Sequence, residues 1–312
     1  MRNKQRVLII TPLASRWLQE VKRYMEPHFE LHIITLQLPQ TRPEGDELRY
    51  LAVERSQQLG RIINKIKPDG IYLSIEFGWE LFLAPEFFLP FDPQCIISVV
   101  FDDIVYHDLN VRVLEALKIN RLVTTDLSSK LRYLEKGFEC ELFPLEGSEE
   151  IYYPDSTKTP ANDIIFFGML DKADRRQQIE IIRDSVNLVY WEGTKSIDQS
   201  LTYQDLAQQI RNSKLVLNLS KSHVGLENRV HYQWKGRILE SMFCGVLPVT
   251  EFCPCTSMMF GDLVPQFKGP NAAVEIIRGL LAEPDRLKER TAEACQLAER
   301  YRPSKLWGGV EF

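Results

Sequence analysis

The segment Lys235–Glu251, KGRILESMFCGVLPVTE, holds the most informative arrangement of polar side chains in the sequence. Arg237 and Glu240 are three apart, so on a helix they project together. Ile238 with Met242, and Leu239 with Phe243, are i,i+4 pairs that give such a helix an apolar stripe, and Glu240 falls away from its centre. Gly245 suits the position that ends the helix, and Leu247–Thr250 then reads as a strand. A carboxylate placed there can accept hydrogen bonds from both hydroxyls of a diol such as ribose. Amides at a helix start suit phosphate. The plain alternative is a surface ion pair.

Other candidates stand at the ends of apolar runs. Gly168 closes Ile164–Gly168 and allows a tight turn, and Arg175 and Arg176 follow at a helix start where diphosphate charge would collect. A solvated basic turn is the ordinary reading of that pair. Asn218 and Ser220 end Leu215–Leu219, placed to contact a base or sugar or to cap a turn. In the first half, Asp102-Asp103 and Tyr106-His107-Asp108 follow Ile96–Phe101. Carboxylates and an imidazole at a strand end suit acid/base work or the holding of hydroxyls, against a plain role as loop and cap groups. Glu76 ends Ile71–Ile75 and is a further candidate, whereas Asp126 reads better as the N-cap of the helix that follows it. For Tyr190 and Trp191, core packing is expected over stacking on a base. His28 and His32 read as structural, and His223 and His231 lie in the polar stretch before Arg237, where either could reach phosphate.

Placing these groups needs strands and helices in alternation, and the pattern supplies them. Arg6–Thr11, Leu31–Thr35, Ile71–Phe77, Ile96–Phe101, Leu122–Thr125 and Glu141–Pro144 read as strands. Trp17–Met25, Asp46–Ile66, Val111–Leu117 and Lys130–Lys136 read as the helices between them. The polar stretch Leu145–Asp163 reads as a linker. The alternation then restarts, with strands at Ile164–Gly168, Val186–Trp191, Leu215–Leu219 and Leu247–Thr250. Helices are expected at Arg175–Asp184, Tyr203–Ser213, Trp234–Cys244, Ala272–Ala282 and Leu287–Tyr301. The expected fold is therefore α/β, with two Rossmann-like doubly wound domains, 1–150 and 151–312, facing a cleft. Ligands of such sheets bind beyond the carboxyl ends of the strands.

Composition narrows the function. A length of 312 residues fits two domains. A net charge of −5 excludes a strongly basic nucleic-acid coat, though not a local cationic pocket. Apolar runs such as Cys95–Phe101 fall far short of the roughly 20 residues that span a bilayer. The N-terminus, MRNKQRVLIITP, reads as a strand rather than a signal peptide. Cys95, Cys140, Cys244, Cys253, Cys255 and Cys295 are scattered and form no Cys-x-x-Cys pair, as expected of free thiols in a reducing cytoplasm. No Walker loop, Gly-x-Gly-x-x-Gly, His-Glu-x-x-His or Gly-x-Ser-x-Gly is present, which weakens ATPase, dehydrogenase, zinc protease and hydrolase readings.

Arg237-Ile-Leu-Glu240-Ser-Met-Phe-Cys-Gly245, followed by Leu247-Pro248-Val249-Thr250, resembles the sugar-nucleotide motif of GT-B glycosyltransferases. It is most similar to glycosyl transferases group 1, in the spore-maturation-protein-like subgroup. The flanks agree: Ile164–Ile182 resembles the first strand, glycine and basic helix start of the family's C-terminal domain, and Tyr203–Ser220 its helix-then-strand element. The resemblance spans Asp163–Tyr301. It implies a cytoplasmic, metal-independent and retaining transferase, with a UDP- or GDP-linked sugar as substrate and no cofactor. It assigns ribose to Glu240 and the diphosphate to Arg175, Arg176, Lys235 and Arg237, with Gly168, Asn218 and Ser220 completing the donor side. Asp103 and His107 become the catalytic candidates, and Asp102 and Glu76 the acceptor-side ones. Nucleic acid is not expected as a partner, and peripheral membrane contact, acceptor and oligomeric state stay open. The final residues are expected to pack back on the first domain.

The sequence also departs from the family. Many group-1 enzymes carry a second glutamate eight positions before the one matched by Glu240; Tyr232 stands there, and Glu227 is the nearby substitute. Thr11–Ser15 lacks the glycines of many acceptor loops. A catalytically inactive GT-B-like nucleotide-binding or scaffold protein is therefore the alternative.

Overall fold

Short β-branched runs in the first half assemble into a six-stranded parallel sheet in the order β2-β1-β3-β4-β5-β6. These strands are β1 Arg6–Thr11, β2 Glu30–Thr35, β3 Gly70–Ser74, β4 Ile96–Val100, β5 Arg121–Thr124 and β6 Glu139–Leu142. The computed structural model describes all residues except 1–3, 12–15, 38–42, 76–81, 101–102, 144–147, 158, 171–172, 193–201 and 224–229. Central strands β3 and β4 are buried along their whole length, whereas edge strand β2 is half-exposed. Continuous apolar strands of this kind need cover on both faces.

The helices provide that cover. They are α1 Arg16–Met25, α2 Gly45–Ile66, α3 Asp103–Ala116 and α4 Leu127–Glu135. Leu8, Ile10, Ile71, Leu73, Ile96, Val100 and Leu122 form one face of the sheet and cluster with Leu59 and Ile63 of α2, Leu114 of α3 and Tyr133 of α4. The step from β1 to β2 runs the opposite way along the sheet, so a right-handed crossover puts α1 on the other face. Tyr72 points to that face, between Ile71 and Leu73, and packs on Trp307 at 5.6 Å between ring centroids.

The chain packs as two compact units, Met1–Pro144 with Leu306–Phe312, and Leu145–Lys305. The stretch read as a linker is largely part of the second unit: Ile151 and Tyr152 are buried there. Arg302 Nη1 donates to the Tyr152 carbonyl at 2.7 Å, and Arg211 Nη1 to that of Ile151 at 2.9 Å. Polar composition hid two core side chains.

The second unit has a five-stranded parallel sheet in the order β13-β12-β9-β7-β8 and a separate antiparallel pair, β10-β11. Its strands are β7 Asn162–Gly168, β8 Leu188–Glu192, β9 Ser213–Asn218, β10 Lys221–His223, β11 Val230–Tyr232, β12 Leu247–Glu251 and β13 Gln266–Phe267. Its helices are α5 Ala173–Arg183, α6 Tyr203–Arg211, α7 Arg237–Phe243, α8 Pro254–Phe260, α9 Pro270–Ala282 and α10 Pro284–Ala298; α11 Pro303–Trp307 leads back to the first unit. The hairpin and α8 were not expected from the sequence. The hairpin takes up residues before Trp234, and the helix expected over Trp234–Cys244 is only Arg237–Phe243. Gly245, at φ +78°, ends it in the left-handed region as expected. All six cysteines carry free thiols. Among the described residues no helix is long and apolar enough to cross a membrane.

Candidate functional site

In the second sheet, β8 lies on one side of β7, and β9, β12 and β13 on the other. The direction of winding therefore reverses between β7 and β9. Chain segments leaving these two strands diverge to opposite faces, and the carboxyl end of such a reversal is where α/β sheets bind ligands. Gly168 closes β7 there, and Asn218 closes β9.

Arg175, in the first turn of α5, spans the reversal. Its Nη1 donates to the Met169 carbonyl beyond β7 at 3.1 Å, and its Nη2 to the Lys221 carbonyl beyond β9 at 2.8 Å. Arg176, which is exposed, donates from Nη2 to the Leu170 carbonyl at 3.1 Å. Arg237 arrives from α7 on the same exit. A Cβ at position 168 would lie 3.0 Å from its Nη1, and Gly168 sits at φ +153°, so both close approach and backbone demand glycine. The Arg237 guanidinium carbon lies 5.0 Å from the Phe167 ring centroid and 5.8 Å from that of Phe166, a cation–π arrangement that fixes the charge at the sheet end. Lys235, two residues earlier, donates to Gln233 Oε1. The structure thus gathers Gly168, Arg175, Arg176 and Arg237 around the end of β7.

Asn218 and Ser220 do not face that space. Both have no exposed surface. Asn218 Nδ2 donates to Ser220 Oγ at 3.1 Å and to Thr250 Oγ1 at 2.7 Å, tying β9 to β12. Direct contact with base or sugar is therefore corrected to an internal role, and the strand-end position alone gave no sign of which way these side chains turn.

Glu240 is more buried than the sequence suggested. It is 8 % exposed and lies beside the buried Tyr152 hydroxyl. Burial, reinforced by the Glu240 charge, holds the Tyr152 phenol well above its ordinary pKa. The stripe argument fails because Ile238, Leu239, Glu240, Ser241, Met242 and Phe243 are all buried, so α7 has almost no solvent face. Burial likewise pushes the Cys244 and Cys295 thiols up to about 12. Tyr190 and Trp191 are exposed rather than core residues, because β8 is the edge strand. Tyr232 is exposed on β11, with its ring edge-on to Phe252.

The candidates of the first unit fare differently. Glu76 and Asp102 lie outside the described residues, as does Glu227 of the second unit; only the backbone is described at Asp103, His223 and His231. His107 is not a loop residue. It lies within α3, is 3 % exposed, packs on Tyr133 at 4.5 Å, and its Nδ1 has no hydrogen-bond partner. Burial, with the Arg132 charge adding to it, pushes its pKa down from 6.5 to about 4. An inward-facing imidazole of lowered basicity is poorly placed as a general base. Asp126 caps α4, its Oδ1 accepting from the Ser128 amide at 2.8 Å and the Ser129 amide at 3.2 Å. His32 pairs with Glu30 on edge strand β2 at 3.3 Å, and the His28 ring lies near Phe29.

Three polar residues at the reversal were missed from sequence: Lys221, Thr250 and Glu251. The Lys221 amide donates to Glu251 Oε2 at 2.7 Å, and Lys221 Nζ meets Asp174 Oδ2 at 3.1 Å. The available signal was their place at the carboxyl ends of β9 and β12.

Residues 167–304 match the family model described as glycosyl transferase-like. The matched stretch lies within the second unit, which is similar to that family. The structural likeness extends over nearly the whole chain. Sucrose-phosphate synthase from Thermosynechococcus elongatus superposes with a TM-score of 0.62 at 12% identity, covering 98% of this chain and 98% of that one. The Anabaena protein HepE in complex with UDP gives 0.62 at 10% identity, covering 97% of each chain. A glycosyltransferase from Rickettsia africae gives 0.61 at 10% identity, covering 98% of this chain and 96% of that one. At such identities the likeness establishes the fold, which is GT-B. No curated protein matches the sequence.

Proposed function

We propose that this protein transfers a sugar from a UDP- or GDP-linked donor to an acceptor, and that the donor diphosphate binds at the β7/β9 reversal. The observation that carries this is the Arg175 bridge between the two strand exits, with Arg176 and Arg237 beside it. Cleavage of a sugar–diphosphate bond leaves negative charge on the departing oxygen. Guanidinium groups already anchored to backbone carbonyls and aromatic faces stabilise that charge with little reorganisation. Lys235 adds to the same field. On this reading the cations take the place of a metal ion. Glu240, one turn along α7 from Arg237, takes the ribose hydroxyls through its narrow exposed window. The HepE neighbour bound to UDP supports a uridine nucleotide. The first unit takes the acceptor, in the group-1, spore-maturation-like and retaining manner that the resemblance implies, within the cytoplasm.

Calorimetric titration with UDP and GDP tests the donor site. Arg175→Ala should weaken the bound diphosphate by about tenfold or more, the scale of a charge-assisted hydrogen bond. Unchanged affinity in a folded variant would remove the β7/β9 reversal from the reaction. Binding without transfer, over a panel of sugars and acceptors, would favour the inactive GT-B-like alternative.

A further inference from the structure

Glu251 closes β12 and is only 5 % exposed. Burying a carboxylate is costly unless hydrogen bonds replace its water. Its Oε2 accepts the Lys221 amide proton at 2.7 Å, and the carbonyl of the same residue accepts Arg175 Nη2 at 2.8 Å. Lys221 is therefore held on both sides of its backbone, by an acid from β12 and a guanidinium from α5. Its ammonium meets Asp174, the neighbour of Arg175, at 3.1 Å. Asp174, Arg175, Gln178, Leu219, Lys221 and Glu251 line one narrow crevice. Beside Glu251, Thr250 is locked to Asn218 and Ser220.

We propose that Glu251 is a positioning residue for the donor diphosphate: by gripping the Lys221 amide it fixes the carbonyl against which Arg175 is anchored. This rests on the donor reading above, which assigns the diphosphate to Arg175. A charged acceptor makes a stronger hydrogen bond to a backbone amide than water or a neutral group does. The grip keeps the segment after β9 from drifting, and a guanidinium whose anchor drifts must be reordered each time a ligand binds. Glu251 touches no part of the donor itself.

The test is calorimetry with UDP and GDP, set beside ligand-observed NMR with uridine and guanosine, which carry no phosphate. Glu251→Ala should weaken the diphosphate by about tenfold and the nucleoside by less than about twofold. Glu251→Gln keeps an oxygen for the Lys221 amide and should restore diphosphate affinity to within about threefold. Glu251→Asp keeps the charge but is one methylene short, so it should reproduce the selective loss even where the alanine variant fails to fold. In the double variant with Arg175→Ala, the second substitution should add nothing. Equal losses for diphosphate and nucleoside, or no loss at all, would overturn the role of Glu251 while leaving the donor site standing. Failure of the unaltered protein to bind either diphosphate would overturn both, and by a different result.

Discussion

Each sheet reverses its winding once, between β1 and β3 in the first unit and between β7 and β9 in the second, and the two reversals are built differently. At β7/β9 the exits are cross-braced by side chains: Arg175 ties β7 to β9, and Glu251 ties β9 to β12. At β1/β3 the residues that follow the strands, 12–15 and 76–81, lie outside the described part of the chain. Glu76 is among those residues, and the other acidic and imidazole candidates follow β4; of these, His107 turns into the core, whereas Asp108 is exposed. Cations that bind an anion can be anchored by backbone carbonyls before any ligand arrives. An acid or base must keep both a proton path and an adjustable pKa, and burial against Tyr133 denies His107 both.

The sharpest challenge to this contrast is Gly168→Val. A side chain there collides with Arg237 and forces a strained backbone. Diphosphate binding should fall by about tenfold or more and stability by about 1–3 kcal/mol, read by calorimetry and thermal melting. Retained binding would show that Arg237 does not need its present seat.

His107→Phe probes the other side. The folded pKa of about 4 lies below the unfolded 6.5, so the unfolded chain takes up the proton first as pH falls. The native protein should lose about 2–3 kcal/mol from this residue between pH 6.5 and about 4, and the phenylalanine variant should not. Chemical denaturation at several pH values reads the difference. Transfer activity at neutral pH should persist; its disappearance with donor binding intact would return His107 to catalysis.

Asp126→Ala has the smallest expected effect. Loss of two amide hydrogen bonds at the start of α4 should lower stability by about 1 kcal/mol in a thermal melt and leave nucleotide affinity unchanged. A change in affinity would mark Asp126 as more than a cap.

Much of the fold was legible in the sequence because its signals are local. The period of Ala52, Ser56, Leu59 and Ile63 marks α2, and Gly245 marks the end of α7. The grouping of Gly168, Arg175 and Arg176 at one strand-to-helix turn was legible because all three lie within a few residues of one another. His107 was misplaced because α3 begins at Asp103, eight residues before the helix expected at Val111. With the true start, His107, Asn110, Val111 and Leu114 fall at i, i+3, i+4 and i+7, all on the buried face. Asn218, Ser220 and Glu251 depend on strand order, which joins residues about thirty apart in sequence and leaves no local trace. The burial of Glu240 was missed for a related reason: a stripe identifies a polar face only when the helix has solvent on one side.

Trp307 carries a consequence for synthesis. It is 1 % exposed, wedged against Tyr72 at 5.6 Å and Phe143 at 4.9 Å, and Phe312 lies edge-on to Phe29 at 5.3 Å. Domains made first on the ribosome generally fold first. Here the opening β-sheet must wait, its aromatic wedge missing, until the second unit has been translated in full, so the amino-terminal half is the last to be sealed.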